Sequence, residues 1–272
     1  MKKLPLILVV ALLLVAAQSS YAEVVLLTEN FDSMGTAGTA PPAGWTIGYL
    51  GASGTQNRLA MTPYAGNGQA ITSLAGGANF IVSDGNVGSS TPYALNLGTT
   101  GSSERALGNF PRTNPFGDHI MQVQATNTSG ADLTWIRLTY TGEQWKDFQG
   151  AASEKPERLR VLYSDVSATD GFVYMGTAFD FNAPKDTGAG VVLDGNDPAN
   201  RTTISGMFTL PGVLHNGDSF WIRWHDWNDN ATSDHVLAID DVQVSGVPEP
   251  GTLVMLLGAA VLGLVAWRRR GK

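Results

Sequence analysis

Cysteine is absent from the 272 residues. Disulfides, thiol nucleophiles and thiolate metal sites are therefore excluded, and core burial, with metal held by oxygen donors as the other resource, must stabilise the fold. Charge is sparse as well, at 15 % of residues, and basic charge is the sparser sign, with 17 Lys and Arg against 24 Asp and Glu. Six of the basic residues sit in the terminal segments, which leaves 11 against 23 acids between residues 23 and 246, a net of −12. A phosphate backbone needs a basic face, so no nucleic-acid partner is expected. An acidic excess suits solubility outside the cell or the binding of divalent cations.

The middle of the chain also lacks any long run of helical periodicity. Short alternating segments recur instead, bounded by Gly, Asn, Asp, Ser and Pro. The candidates are Val24–Phe31, Ala78–Val82, His119–Ala125, Leu133–Tyr140, Arg158–Tyr163, Thr202–Leu210, Ser219–His225 and Val236–Ser245. Ile136, Leu138 and Tyr140 alternate with Arg137 and Thr139, and Phe220, Ile222 and Trp224 alternate with Trp221, Arg223 and His225. Such strands are half-buried and antiparallel, with one dry face and one wet. With 32 glycines to serve tight turns, the expected fold is an all-β antiparallel β-sandwich, a jelly roll, over residues 23–246.

Both ends have another character. Lys2 and Lys3, the apolar run Leu4–Ala17 and the small-x-small triplet Ser20-Tyr21-Ala22 predict a signal peptide over 1–22, cleaved by signal peptidase after Ala22. Residues 247–272 run from Val247-Pro248-Glu249-Pro250 through an apolar stretch to Arg268, Arg269 and Arg270. A transmembrane helix over 252–267 is predicted. Its apolar part, Leu253–Trp267, rises roughly 22 Å, short of the ~30 Å hydrocarbon core, and Trp267 at the interface with snorkelling arginines closes the gap. The three arginines place the tail end in the cytoplasm and the domain outside.

That tail resembles the PEP-CTERM sorting signal of Gram-negative bacteria. The resemblance implies recognition by an exosortase, transient anchoring in the inner membrane, and release to the envelope or extracellular matrix. The domain looks like the jelly rolls of the cleaved-adhesin or choice-of-anchor type. The residues that carry this likeness are Glu29-Asn30-Phe31-Asp32 with Pro41-Pro42-Ala43-Gly44-Trp45, then Tyr140-Thr141-Gly142-Glu143-Gln144-Trp145, Leu193-Asp194-Gly195-Asn196 and Asn200-Arg201-Thr202. The closing match is Asp234-His235 with Leu237-Ala238-Ile239-Asp240-Asp241-Val242.

A cation site is expected where the first and last strands meet. Asp240 shares a parity with Val236, Ala238, Val242 and Val244, and Glu29 shares one with Val25, Leu27 and Phe31. A carboxylate on a core-facing parity needs a partner, and Ca²⁺ is a natural one. The resemblance adds Asp241, so Glu29, Asp240 and Asp241 are the expected ligands. The alternatives are bulges that expose these acids, or Arg137 or Arg223 paired with them. Asp226, Asn228, Asp229, Asn230 and Asp234 lack the glycine and bidentate glutamate of an EF-hand and read as a solvated turn. Trp221, His225 and Trp227 share the parity opposite Phe220, Ile222 and Trp224, and form a candidate glycan platform.

Catalytic patterns are missing. There is no His-Glu-x-x-His pair, no Gly-x-Ser-x-Gly elbow and no phosphate loop. The Glu-x-Asp-x-x-Glu arrangement of jelly-roll glycoside hydrolases is absent too, although folding can bring separate carboxylates together. Asp234-His235 near Asp240 could build an acid–base site, but a hydrogen-bonded structural histidine is the commoner outcome. The sequence thus points to a non-enzymatic surface or matrix protein working in adhesion or association with exopolysaccharide. A secreted polysaccharide hydrolase and a structural coat without ligand are the rivals.

Overall fold

The computed structural model describes residues 23–50, 71–73, 80–88, 93–111, 118–148, 157–227 and 234–246. The predicted signal peptide and the sorting tail, with its helix over 252–267, lie outside them. Among the described residues no helix is long and apolar enough to cross a membrane.

Among the described residues fifteen strands form two sheets. They are β1 (Val24–Glu29), β2 (Trp45–Leu50), β3 (Ile71–Ser73), β4 (Phe80–Ser83), β5 (Tyr93–Leu97), β6 (Ala106–Phe110), β7 (Asp118–Thr126) and β8 (Leu133–Asp147). Then follow β9 (Arg158–Ser164), β10 (Val173–Tyr174), β11 (Phe181–Asn182), β12 (Val191–Val192), β13 (Arg201–Leu214), β14 (Ser219–Asp226) and β15 (Val236–Gly246). The first sheet runs β12-β8-β15-β6-β5-β4, with β1 on β15 and β13 on β8. The second runs β10-β9-β14-β7-β2-β3, with β11 on β9. All pairings are antiparallel except β4 with β5, which is parallel. This is the expected all-β sandwich.

The sheets close on an aromatic core. Ile136, Leu138 and Tyr140 of β8 meet Val161 and Tyr163 of β9 and Phe220, Ile222 and Trp224 of β14. Trp45 stacks on Trp224 at 5.6 Å, and Tyr140 meets Trp224 edge-on at 5.5 Å. Each such ring is worth roughly 1.5–3 kcal/mol of burial, which is how a chain without disulfides holds together. The Tyr140 hydroxyl donates to Phe179 O at 2.6 Å, so the polar end of this core residue is satisfied.

A second, smaller core lies behind the first sheet. Trp145, Val236 and Ala238 pack there with Leu95, Leu97, Phe110 and Val87. The first sheet is therefore covered on both faces at this end. That burial explains why residues 141–147 of β8 and the whole of β6 show no exposed positions and no sequence alternation.

One feature of β15 corrects the parity argument. Asp241 has a positive φ of 49°, and the pairing with β8 jumps between Asp240 and Gln243. This bulge reverses the alternation. Leu237, Ile239, Val242 and Val244 face the main core, whereas Val236 and Ala238 face the second. Asp240 follows Val236 and Ala238, so it does not share a face with Val242 and Val244.

Candidate metal centre

Glu143 follows from the pleat of β8. Tyr140 and Gly142 point into the sandwich, where Gly142 lies so close to the Phe181 ring that no side chain fits. Glu143 and Trp145 accordingly point the other way. On β15, Ala238 pairs with Glu143 and Asp240 with Thr141, which sets Asp240 diagonally beside Glu143 on that outer face. Glu104, from the turn before β6, completes the group. Ligand oxygens of Glu104, Glu143 and Asp240 all lie within 4.8 Å of one another.

Half of this arrangement is pinned. Trp145 Nε1–H donates to Glu143 Oε2 at 2.9 Å, and the Asn196 amide donates to Glu104 Oε2. The turn that carries Asn196 is seated on the Trp145 ring through Gly195, where a Cβ would collide with the indole. The other half is open. Glu104 Oε1, Glu143 Oε1 and Asp240 Oδ1 are buried without a hydrogen-bond partner. Arg201 Nη1 stands 3.9 Å from Glu143 Oε1, beyond hydrogen-bonding distance, and its side chain is 38 % exposed.

Three carboxylates this close together cannot all ionise cheaply. Burial, reinforced by Glu104 and Asp241 and opposed by the Trp145 hydrogen bond and Arg201, pushes the Glu143 carboxyl up to about 8. Burial, with repulsion from Glu143, pushes Asp240 up to about 9. Such a group can hold protons or a cation. Its donors are all oxygens, which fits a hard divalent ion of the Ca²⁺ class.

Of the expected ligands, only Asp240 belongs to this triad. Glu29 is engaged locally, its Oε1 accepting from Phe31 N–H at 2.8 Å. Asp241 is exposed beyond the bulge and acts on the site through its charge. Neither Arg137, which pairs with Glu23 at 2.7 Å, nor Arg223 neutralises Asp240. Glu143 and Glu104 were not read as ligands from the sequence. The common parity of Glu143 and Trp145 was a usable signal, while nothing local marks Glu104.

The aromatic set lies on the outer face of the second sheet, but unevenly exposed. Trp221 and Trp227 are half-buried, whereas His225 is fully buried. His225 stacks on Trp227 at 4.2 Å and its Nε2 faces Asp118 Oδ2 at 3.1 Å. Arg160 covers Trp227 at 4.1 Å. Any ring platform here consists of Trp221 and Trp227. Asn228, Asp229 and Asn230 lie outside the described residues.

His235 is structural. Its Nδ1 accepts from Phe148 N–H at 3.0 Å, which fixes the proton on Nε2, 3.5 Å from Asp186 Oδ1. Burial holds its pKa below the usual imidazole value against the pull of Asp147 and Asp186.

Comparison with known proteins is informative at the tail. Residues 246–270 match the PEP-CTERM protein-sorting motif. The chain carries an export address. The motif implies exosortase-dependent sorting to the cell surface. No curated protein matches the chain. Among solved structures, the K3 cleaved adhesin domain of Lys-gingipain from Porphyromonas gingivalis is 16 % identical, covering 83 % of this chain and 100 % of that one, with a TM-score of 0.42. A xylan-binding domain from Paenibacillus barcinonensis is 11 % identical over 85 % and 99 %, TM-score 0.36. An apo cyclase from Fischerella is 10 % identical over 85 % and 100 %, TM-score 0.41. Neighbours at such identities and scores do not transfer activity.

Proposed function

We propose that this chain is a non-enzymatic cell-surface or extracellular-matrix protein whose jelly roll is pinned by a divalent cation and serves adhesion or association with exopolysaccharide. The destination rests on the sorting motif at 246–270. The structural observation that carries the rest is the trio of buried, unpartnered oxygens on Glu104, Glu143 and Asp240. Calcium bound there would neutralise the cluster and tie the turn before β6 to β8 and β15. Through Asn196 it would also fix the 194–200 turn. The cation's role is therefore shape, holding the loops at one end of the sandwich. Trp221 and Trp227, flanked by Arg160, offer a stacking surface for sugar rings on the opposite sheet.

A secreted polysaccharide hydrolase is the alternative, favoured by one observation. Two carboxyls with raised pKa, Glu143 and Asp240, lie side by side as acid–base groups do. Their burial beneath Trp145 and the 194–200 turn argues against substrate access. A glycan array read together with a reducing-sugar assay separates the two. Retention of glycan without release, weakened by Trp221→Ala, is expected. Turnover abolished by Glu143→Gln would overturn the non-enzymatic reading.

A further inference from the structure

Among the described residues the two sheets show five free edges, and four are short or broken. β4 has four residues, β3 three, and β10 and β11 two each. β1, paired only with β15, has six residues, a break in register between Val25 and Leu27, and Glu29 at its end. Short, bulged or charged edges of this kind resist pairing with other chains. The fifth edge, along β8, is carried by β12 and β13, and β13 runs for 14 residues.

β13 pairs with β8 without interruption from Arg201 to Thr209, and no strand lies on its other side among the described residues. Its outward side chains form a flat row in which Thr203 and Ser205 meet Thr141 and Thr139 through their hydroxyls. From Thr202 to Leu214 it carries no charge, inside a domain whose net charge is −12. Natural sheets usually guard long edges with lysine, glutamate or an early bulge. Here the only such devices are Arg201 at one end and Pro211 with the pairing break after Thr209 at the other. The exposed side chains of Thr202–Thr209 are hydroxylic apart from Met207, and exposed apolar residues gather beside this stretch. Of the seven exposed large hydrophobic residues among the described ones, four, Val191, Val192, Met207 and Val213, belong to β12 and β13.

We infer that the Thr202–Thr209 edge of β13 is a self-association site, pairing antiparallel with the same strand of a second copy about a twofold axis. The occupant follows from charge and symmetry. Two acidic domains repel, and a strand without charge from Thr202 to Leu214 lets backbone pairing occur with no like charges set directly opposite one another. An antiparallel match of a strand with itself is closed and isologous, so each Ser205 meets the neighbourhood of its copy near the axis. The product is one sheet continuous through two molecules. For a protein delivered to the surface, this joins domains without using the cation site or the aromatic face.

The absence of cysteine makes the test clean. Ser205→Cys in the otherwise cysteine-free full chain, expressed with its tail and oxidised in intact membranes, is expected to give a disulfide-linked species of twice the chain mass. Val166→Cys, equally accessible on a loop of the second sheet, serves as reference. Adding Met207→Lys to Ser205→Cys sets like charges across the axis and is expected to reduce the linked species at least tenfold with an unchanged circular dichroism spectrum. If that variant loses its spectrum, Thr203→Lys gives the same reading. A linked fraction no greater than that of Val166→Cys would overturn the inference, as would a product of another mass, which would mean a different partner. Yield unaffected by lysine would also overturn it. Running each arm in Ca²⁺ and in EDTA separates this outcome from the fate of the cation reading.

Discussion

The outer faces of the two sheets both bury charge, and they satisfy it in opposite ways. On the second sheet Arg223 is nearly inaccessible, yet its Nε donates to Gln122 Oε1 at 2.7 Å and its Nη2 to Ala168 O at 2.9 Å, with the Phe172 ring 3.6 Å away. His225 has Asp118 and Trp227. Arg223 is held by groups of its own face. On the first sheet Glu104, Glu143 and Asp240 converge with three oxygens unpartnered. Buried polar groups are paired in folded proteins, so an unpaired cluster points to something supplied from outside. The buried arginine is satisfied within the fold, and the carboxylate cluster is not.

If this contrast is right, removing charge has opposite consequences on the two faces. The largest effect falls on the buried arginine. Arg223→Ala leaves Gln122 Oε1 without its donor, takes from Ala168 O one of its two donors (Gln122 Nε2 remains, at 3.1 Å) and opens a void, costing about 3 kcal/mol in chemical denaturation. Next is the lid of the carboxylate cluster. Gly195→Ala drives a methyl into the Trp145 ring, with an expected loss of about 1–3 kcal/mol and a weakened response of melting temperature to Ca²⁺.

In the cluster itself, Glu143→Gln keeps an acceptor for Trp145 Nε1 and discards a charge that burial disfavours. In EDTA at pH 9 it is expected to stabilise the fold by about 1 kcal/mol, while losing the Ca²⁺-dependent gain. A destabilisation of Arg223→Ala size would mean that Glu143 is already well paired.

The pH dependence sharpens the same point. Carboxyls raised to about 8 and about 9 when folded, well above the ordinary carboxylate range, bind more protons in the folded state over that interval. Their contribution is fully present below the ordinary carboxylate range and is lost as pH climbs through about 8 and about 9. Stability in EDTA should therefore fall from acid toward pH 9, and saturating Ca²⁺ should flatten the curve. Thermal melts across pH, with and without the ion, read this directly.

The fold was readable where one face of a strand is wet. Each of the eight segments read by alternation holds a strand among the described residues, Arg158–Tyr163 within β9 and Ser219–His225 within β14, although Val24–Phe31 runs past the end of β1 and residues 78–79 lie outside the described residues. The second half of β8 was missed because residues 141–147 are buried on both sides, and β6 for the same reason. Trp45–Leu50 lay too close to the Pro41-Pro42 turn to stand out. The same cause hid most of the site. Glu143 sits in the buried half of β8, and Glu104 in a turn whose neighbours become neighbours only through folding. Asp240 was chosen because an acid among apolar residues is visible in any register, yet its face was misread, since a bulge at Asp241 leaves no mark in the alternation.

Titration calorimetry of Ca²⁺ into the chelator-stripped full chain tests the central claim most directly. Saturable binding at one site is expected, with a higher melting temperature in Ca²⁺ than in EDTA and both effects abolished by Asp240→Asn. No binding heat together with identical melting in Ca²⁺ and EDTA would contradict the account.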